Sequence, residues 1–219
     1  GLKGVTFEVY AAEDIYTADH QVDENGNRTL YYAKDALVAE ITTDDEGFAY
    51  VKNLPLGEYY VKESEAPEGF VHNENSEKAV FVYADQNTPV VFDQVSFTNE
   101  RQKVSISVEK QDNGNVVPGA VFGIYNAEDI INKDGQVIVK ADTLLQEMTS
   151  DENGQAKCTL DLPLGRYYVK ELHAPAGFVS SDEILSFDAS YQGQDVKTVK
   201  LKTVKKNQPT TVEITKSDV

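Results

Sequence analysis

The chain has 219 residues, a formal net charge of −17 and a sequence pI near 4.5, with 40% hydrophobic and 26% charged residues. That much negative charge argues against nucleic acid or an anionic membrane as a partner, and no apolar run approaches the ~20 residues of a membrane-spanning helix. One cysteine, Cys158, excludes an internal disulfide, and three scattered histidines (His20, His72, His173) leave almost nothing for a zinc site or for Ser-His or Cys-His catalysis. No metal and no cofactor is expected.

From the first residues onward, short runs alternate apolar and polar positions between Gly, Asn, Asp and Pro, which predicts an all-β chain. Val5-Phe7-Val9 opens as a strand, and AAEDI (Ala11 to Ile15) hints at one helical turn. Leu37-Val38-Ala39-Glu40-Ile41 is a second strand, and Asp44-Asp45-Glu46-Gly47 is a hairpin signal. The same four residues resemble a piece of a calcium loop, but the full spacing with its closing glutamate is missing. Tyr59, Val61 and Glu63 alternate within GEYYVKESEAPEGF, so all three point to one face. A carboxylate beside a tyrosine and a valine is costly to bury unless it is protonated or partnered, which makes Glu63 a candidate functional group. Val80-Phe81-Val82-Tyr83 and Val90-Val91-Phe92 are further strands, and Val91, Val95, Phe97 and Asn99 share a face apart from Asp93.

Beyond Arg101 the pattern starts again. GEYYVKESEAPEGF at 57–70 returns as GRYYVKELHAPAGF at 165–178. Glu63 pairs with Glu171 and Asn99 with Asn207 at one constant offset (171 − 63 and 207 − 99 both give 108). A repeat of that length is a duplicated domain. NAEDI (Asn126 to Ile130) and Asp151-Glu152-Asn153-Gly154 repeat the helical hint and the hairpin turn. In Ala156-Lys157-Cys158-Thr159-Leu160, alternation puts Cys158 with Ala156 and Leu160 on the core face as an inert buried thiol. The tyrosine pairs 59–60 and 167–168 read as strand residues facing both sides.

The domains divide as 1–101, 102–209 and 210–219. Val104, Ile106 and Val108 share a stripe that Lys110 closes; Val212, Ile214 and Lys216 repeat it after Pro209. The last ten residues are therefore expected to open a further domain, and the first domain to start one strand late, since Leu2 to Phe7 corresponds to Val117 to Phe122. The chain is expected to be an excised fragment, so its lack of a signal peptide or anchor carries no weight. A lysine closing an apolar stripe can simply snorkel to solvent. Its appearance twice in register, with an inward Glu and a closing Asn, favours a chemical role. Lys205 shares the parity of Asn207, so a bulge or an edge position is expected there.

The box G-x-Y-x-V-x-E-x-x-A-P-x-G-F, the leading strand ending in Lys and the closing Asn resemble the Cna protein B-type (SpaA-like) domains of Gram-positive pilins and adhesins. The resemblance covers essentially the whole chain. It implies two tandem prealbumin-like (inverse immunoglobulin-like) β-sandwiches, on an extracellular, cell-wall-anchored protein. It also implies an intramolecular Lys–Asn isopeptide bond with Lys110 as nucleophile, Asn207 as electrophile and Glu171 as the proton-shuttling acid. Glu63 and Asn99 match in the first domain, whereas Lys3 falls eight positions too late to serve as its lysine. The chemistry suits the residue types: burial disfavours a charged amine and a charged carboxylate, and a fold that holds amine against amide supplies proximity worth about 7–11 kcal/mol. The event is single-turnover, so the chain is not an enzyme.

Two further readings stand beside a stiffened stalk or fibre whose partners are its neighbouring domains. One is an adhesin module for a host protein or glycan, using exposed tyrosines such as Tyr31-Tyr32. The other is a hydrolase with paired carboxylates, which lacks a second inward acid near either glutamate. Finally, the lysine-ended tail and the lysine-less first domain predict head-to-tail strand exchange between chains, with Lys216 reaching Asn99 of another copy.

Overall fold

Alternation of β-branched and aromatic residues with polar ones drives this chain into strands. The computed structural model describes residues 1–83, 85, 87, 91–132, 134–206 and 214–216, and among them there are strands and turns but no helix. Two compact units form: unit 1 is Gly1–Arg101 with Gly193–Asp195, and unit 2 takes Gln102–Gln192 and the chain from Val196 onward.

Unit 1 is built on β1 (Thr6–Ala11), β2 (Ile15–Tyr16), β3 (Leu30–Tyr32), β4 (Leu37–Thr42), β5 (Gly57–Glu65) and β6 (Ser76–Phe81). Its main sheet runs β4-β1-β5-β6, all antiparallel, with β2 and β3 as a separate pair. Val5, Phe7, Val9, Tyr59 and Val61 form its core, over which Val51, Leu54, Val95 and Phe97 are packed half-buried. Phe97 stacks obliquely on Phe7 with ring centroids 4.8 Å apart.

Unit 2 adds β7 (Lys103–Asp112), β8 (Asn115–Val116), β9 (Val121–Asn126), β10 (Ile130–Ile131), β11 (Val137–Val139), β12 (Leu144–Thr149), β13 (Gln155–Lys157), β14 (Gly165–His173), β15 (Leu185–Ala189) and β16 (Thr198–Lys206). One sheet, β12-β9-β14-β15, repeats the unit 1 order; a second, β13-β7-β16, carries β8 on β7. Ile106 and Val108 from the second sheet meet Phe122, Ile124, Tyr167 and Val169 from the first in one buried cluster. Two sheets sharing a core make a sandwich.

In unit 1 the counterparts of β13 and β16, residues 48–50 and 91–99, are not strands. The reason lies in unit 2, where β13 and β16 pair with β7 and not with each other. Among the described residues of unit 1 no strand occupies the β7 place, so the segments that would flank it have no ladder to join. Val95, Phe97 and Asn99 still alternate inward as expected, while Phe92 is 75% exposed.

Several local expectations need correction. AAEDI and NAEDI are bends leading into the short strands β2 and β10, because Ile15 and Ile130 are drawn into two-residue ladders with β3 and β11. The strand expected at 80–83 lies earlier, ending at Phe81, with Val82 and Tyr83 exposed; Val90 falls outside the described residues, and Val91-Phe92 is irregular. Leu160 is 42% exposed because β13 stops at Lys157, which ends the alternation; Ala156 and Cys158 do pack on the core.

Both acidic segments form tight turns, but not the β-hairpins expected, because β12 and β13 belong to different sheets and residues 48–50 are not a strand. Gly47 and Gly154 N–H groups donate to the Asp44 and Asp151 carbonyls, and each aspartate carboxylate accepts from its own turn backbone. The second tyrosine of each pair stacks on the outer face, Tyr60 on Tyr10 at 5.1 Å and Tyr168 on Tyr125 at 5.0 Å, with Lys62 and Lys170 laid over them. Their hydroxyls donate to Asp35 and Asp142, both loop residues held at positive φ.

Candidate functional site in each unit

In unit 2 the site forms where the two sheets face each other. β7 sends Val104, Ile106, Val108 and Lys110 inward, and β14 sends Tyr167, Val169 and Glu171 inward, both by strict alternation. Lys110 Nζ lies 2.7 Å from Glu171 Oε1, and both side chains are 0% exposed. The pair has the distance of a salt bridge but not the angles of a hydrogen bond, and neither atom has a hydrogen-bond partner among the described residues. Phe122 covers the ammonium, its ring centroid 5.7 Å away. An ion pair so dry and so poorly satisfied is a weak stabiliser, because desolvation of both charges offsets their attraction.

Backbone contacts hold Lys110 in place. Its N–H donates to the Gly154 carbonyl at 2.8 Å, and its own carbonyl accepts from Val117 at 2.9 Å. Gly154 sits at φ +71 with its missing Cβ only 2.7 Å from that carbonyl, so glycine is required twice over, by conformation and by space. On the outer face of β7, Glu109 receives Lys202 of β16 at 2.6 Å and Gln155 of β13 at 2.7 Å, besides Gln111. The Lys202 hydrogen bond foremost, then Gln111 and Gln155, hold its carboxyl down at about 2.

Four neighbours were not legible as site residues. The Ser181 N–H donates to Glu171 Oε2 at 3.2 Å, and Lys205 Nζ donates to Ser181 Oγ at 2.8 Å and to Glu183. Lys205 is 2% exposed and stands directly across the parallel β7–β16 ladder from Lys110. The parity shared by Lys205 and Asn207 was the available signal: the β16 register is unbroken from Thr198 to Lys206, so Lys205 is inward with no bulge up to that point. Asn207 itself lies outside the described residues. His72 is the fourth, in unit 1, and donates from Nε2 to the Glu63 carbonyl at 2.7 Å.

Unit 1 brings Glu63 and Asn99 together, with Asn99 Nδ2 donating to Glu63 Oε1 at 2.6 Å and to the Val71 carbonyl at 3.0 Å. The carboxylate thus sits against the amide nitrogen, the leaving-group side. Lys3 is a surface residue paired with Asp45 at 2.5 Å, in keeping with its exclusion from the site. Lys216 is exposed. Cys158 donates weakly to Gln146 Oε1 at 3.4 Å, and burial pushes its thiol up from the ordinary value.

Comparison with known proteins agrees with this architecture. A family model described as the SpaA prealbumin-like fold domain matches residues 1–96 and again 104–206. The chain is 30% identical over 146 residues to a collagen adhesin of Staphylococcus aureus, which covers 62% of this chain and 12% of that protein. Among solved structures it is similar to the Bacillus anthracis TIE protein, with a TM-score of 0.59 and 28% identity over 95% of this chain and 31% of the other. A Streptococcal ancillary pilin overlays at 23% identity and a TM-score of 0.34, covering 95% of this chain and 58% of the pilin chain. The chain therefore spans small fractions of both the adhesin and the TIE protein. With one whole-domain match on each half, this chain belongs to the SpaA prealbumin-like fold domain family.

Proposed function

We propose that the chain is a pair of structural repeats from an extracellular stalk or fibre of a Gram-positive cell surface, anchored to the wall through the longer protein. In this reading, unit 2 is locked by an isopeptide bond between Lys110 and Asn207, with Glu171 moving the protons. The observation that carries the reading is the fully buried Lys110–Glu171 contact, whose ammonium has no hydrogen-bond acceptor among the described residues. In the low-polarity gap between sheets, Glu171 takes a proton from the lysine and the neutral amine attacks the Asn207 side-chain carbon. As the new C–N bond forms and the Asn207 carbon–nitrogen bond breaks, Glu171 gives its proton to the leaving nitrogen, which departs as ammonia, and takes a second proton from the attacking nitrogen, so a costly buried ion pair becomes a neutral amide beside a carboxylic acid.

Function follows from position. Lys110 lies near the end of the first strand of unit 2 and Asn207 follows its last in sequence, so the bond closes nearly the whole unit. By analogy with a long-loop disulfide it adds about 4–5 kcal/mol. It also ties the two strands that a pull along the chain would separate. Intact mass in denaturant tests this: the chain is expected about 17 Da below its sequence mass, one ammonia per bond. Glu171→Gln is expected to restore the full mass while β-sheet circular dichroism is retained, since a neutral amide cannot relay the proton. Full sequence mass in the unsubstituted chain refutes the bond.

A second reading, an adhesin module for a host protein or glycan, draws on Tyr31 and Tyr50, which are 53% and 62% exposed, and on the likeness to a collagen adhesin. Binding of the isolated chain to collagen, with loss on Tyr31→Ala, is the measurement that favours it.

A further inference from the structure

The last strand of unit 2 carries a buried charge at a place where the repeat in unit 1 has an aromatic ring. Lys205 and Phe97 stand at the repeat offset of 108 (205 − 97). Phe97 packs on Phe7 with ring centroids 4.8 Å apart, the ordinary use of an inward strand position. Lys205 is 2% exposed and lies directly across the β7–β16 ladder from Lys110, itself fully buried. A second buried ammonium carries a desolvation cost that an apolar side chain would not. Its Nζ donates to two residues of one loop, Ser181 Oγ at 2.8 Å and Glu183 Oε2.

That loop, residues 179–184, joins β14 to β15 and belongs to no ladder, so other ties must hold it. Ser181 is their junction. Its Oγ accepts from Lys205 and from the Glu183 N–H at 3.3 Å, and its own N–H donates to Glu171 Oε2 at 3.2 Å. The Glu183 side chain is 63% exposed, so water can satisfy that carboxylate without Lys205. A backbone N–H can only donate, and the oxygen it touches stays an acceptor. The other oxygen, Oε1, is the one 2.7 Å from Lys110 Nζ. Unit 1 is tied differently. Asn73, at the place of Ser181, donates from Nδ2 to the Thr98 carbonyl at 2.9 Å, and Glu63 Oε2 is buried with no hydrogen-bond partner among the described residues.

We propose that Lys205 is a positioning residue for bond formation in unit 2: acting through Ser181, it fixes the Glu171 carboxyl so that Oε1, and not Oε2, takes the proton from Lys110. This role presupposes the Lys110–Asn207 bond proposed above. The proton leaves Lys110 Nζ for Glu171 Oε1, and the amine attacks Asn207 Cγ. Oε1 then gives the proton to the departing Nδ2, which leaves as ammonia, and takes a second proton from the attacking nitrogen. Lys205 exchanges no proton in this scheme and touches no reacting atom. The terminal torsion of a glutamate is soft, so an untied carboxyl turns either oxygen toward the amine and spends part of its time misaligned.

Timed samples of the 219-residue chain made by cell-free translation, quenched in denaturant and weighed intact, give the rate at which it becomes about 17 Da lighter. Lys205→Met is expected to slow that loss by about 10- to 100-fold, as misplacement of a reacting group does. Ser181→Ala removes the Oγ and keeps the N–H; it is expected to slow the loss too, with the double variant no slower than the slower single. Melting temperatures are read in an Asn207→Ala background, where the bond cannot form. There Lys205→Met is expected to match or exceed its parent, because an apolar side chain of similar length replaces a buried charge. Equal rates in the unsubstituted and Lys205→Met chains overturn the proposal and leave the Lys110–Asn207 bond standing. A slower rate joined to a lower melting temperature in the bond-free background also overturns it, since the lysine then serves the fold alone. An unsubstituted chain that never loses ammonia refutes the bond itself, and this role with it.

Discussion

At the scale of single residues, the two glutamates show how much a strand's alternation decides. Tyr59-Val61-Glu63 and Tyr167-Val169-Glu171 are inward because the side-chain period of a strand is two, and both carboxylates are buried as that period requires. The tyrosines that lead these stripes are buried too, and each donates its hydroxyl to a proline carbonyl four residues earlier at 2.7 Å. Burial pushes the Tyr59 hydroxyl up to about 12. A group whose folded value is raised contributes stability that is complete below its unfolded value near 10 and is lost as pH rises through the folded one. Unit 1 is therefore expected to lose stability between about pH 10 and 12 through Tyr59. Denaturant titrations across that interval, with phenolate absorbance as a second signal, test it; a Tyr59→Phe chain is expected to show a shallower decline. These inward faces were legible from sequence. The orphaned Glu63 Oε2 and the partner roles of Ser181 and Lys205 were not, because they depend on loops that approach from elsewhere in the chain.

At the scale of elements, β7 organises unit 2. Its inner face provides Ile106, Val108 and Lys110, its two edges pair with β13 and β16, and Glu109 ties all three together from outside. The Glu109 carboxyl is held at about 2, well below the usual carboxylate range. A depressed value means that its contribution is present above about pH 4.5 and is lost as pH falls toward 2. Amide exchange in β7, β13 and β16 is expected to accelerate over that window in the unsubstituted chain. A Glu109→Gln chain is expected to show a smaller pH dependence there, because no charge remains to titrate. Equal slopes for the two chains contradict the assignment. The sequence showed β7 as an apolar stripe ending in lysine, yet gave no sign that Glu109 would meet Lys202, since residues 93 positions apart (202 − 109) are paired only by the parallel register.

At the scale of the whole molecule, the two repeats differ among the described residues. Unit 2 has both sheets, while the described residues of unit 1 have one main sheet and irregular segments where the other would lie. Amide exchange is the direct comparison. Residues 48–50 and 91–99 are expected to exchange nearly at random-coil rates, and their counterparts in β13 and β16 to be protected for orders of magnitude longer. Equal protection in the two units contradicts the asymmetry.

The sequence by itself determined the all-β class, the duplication, the inward and outward faces and the Lys, Glu and Asn candidates. These are properties of local period and of spacing, and a chain carries them without folding. Tertiary structure alone decided which inward groups meet. It set Lys110 dry against Glu171, placed Asn99 on the amide-nitrogen side of its carboxylate, and turned AAEDI and NAEDI into strand-leading bends. It also left 48–50 and 91–99 without a ladder, since a strand exists only where a neighbour accepts its hydrogen bonds.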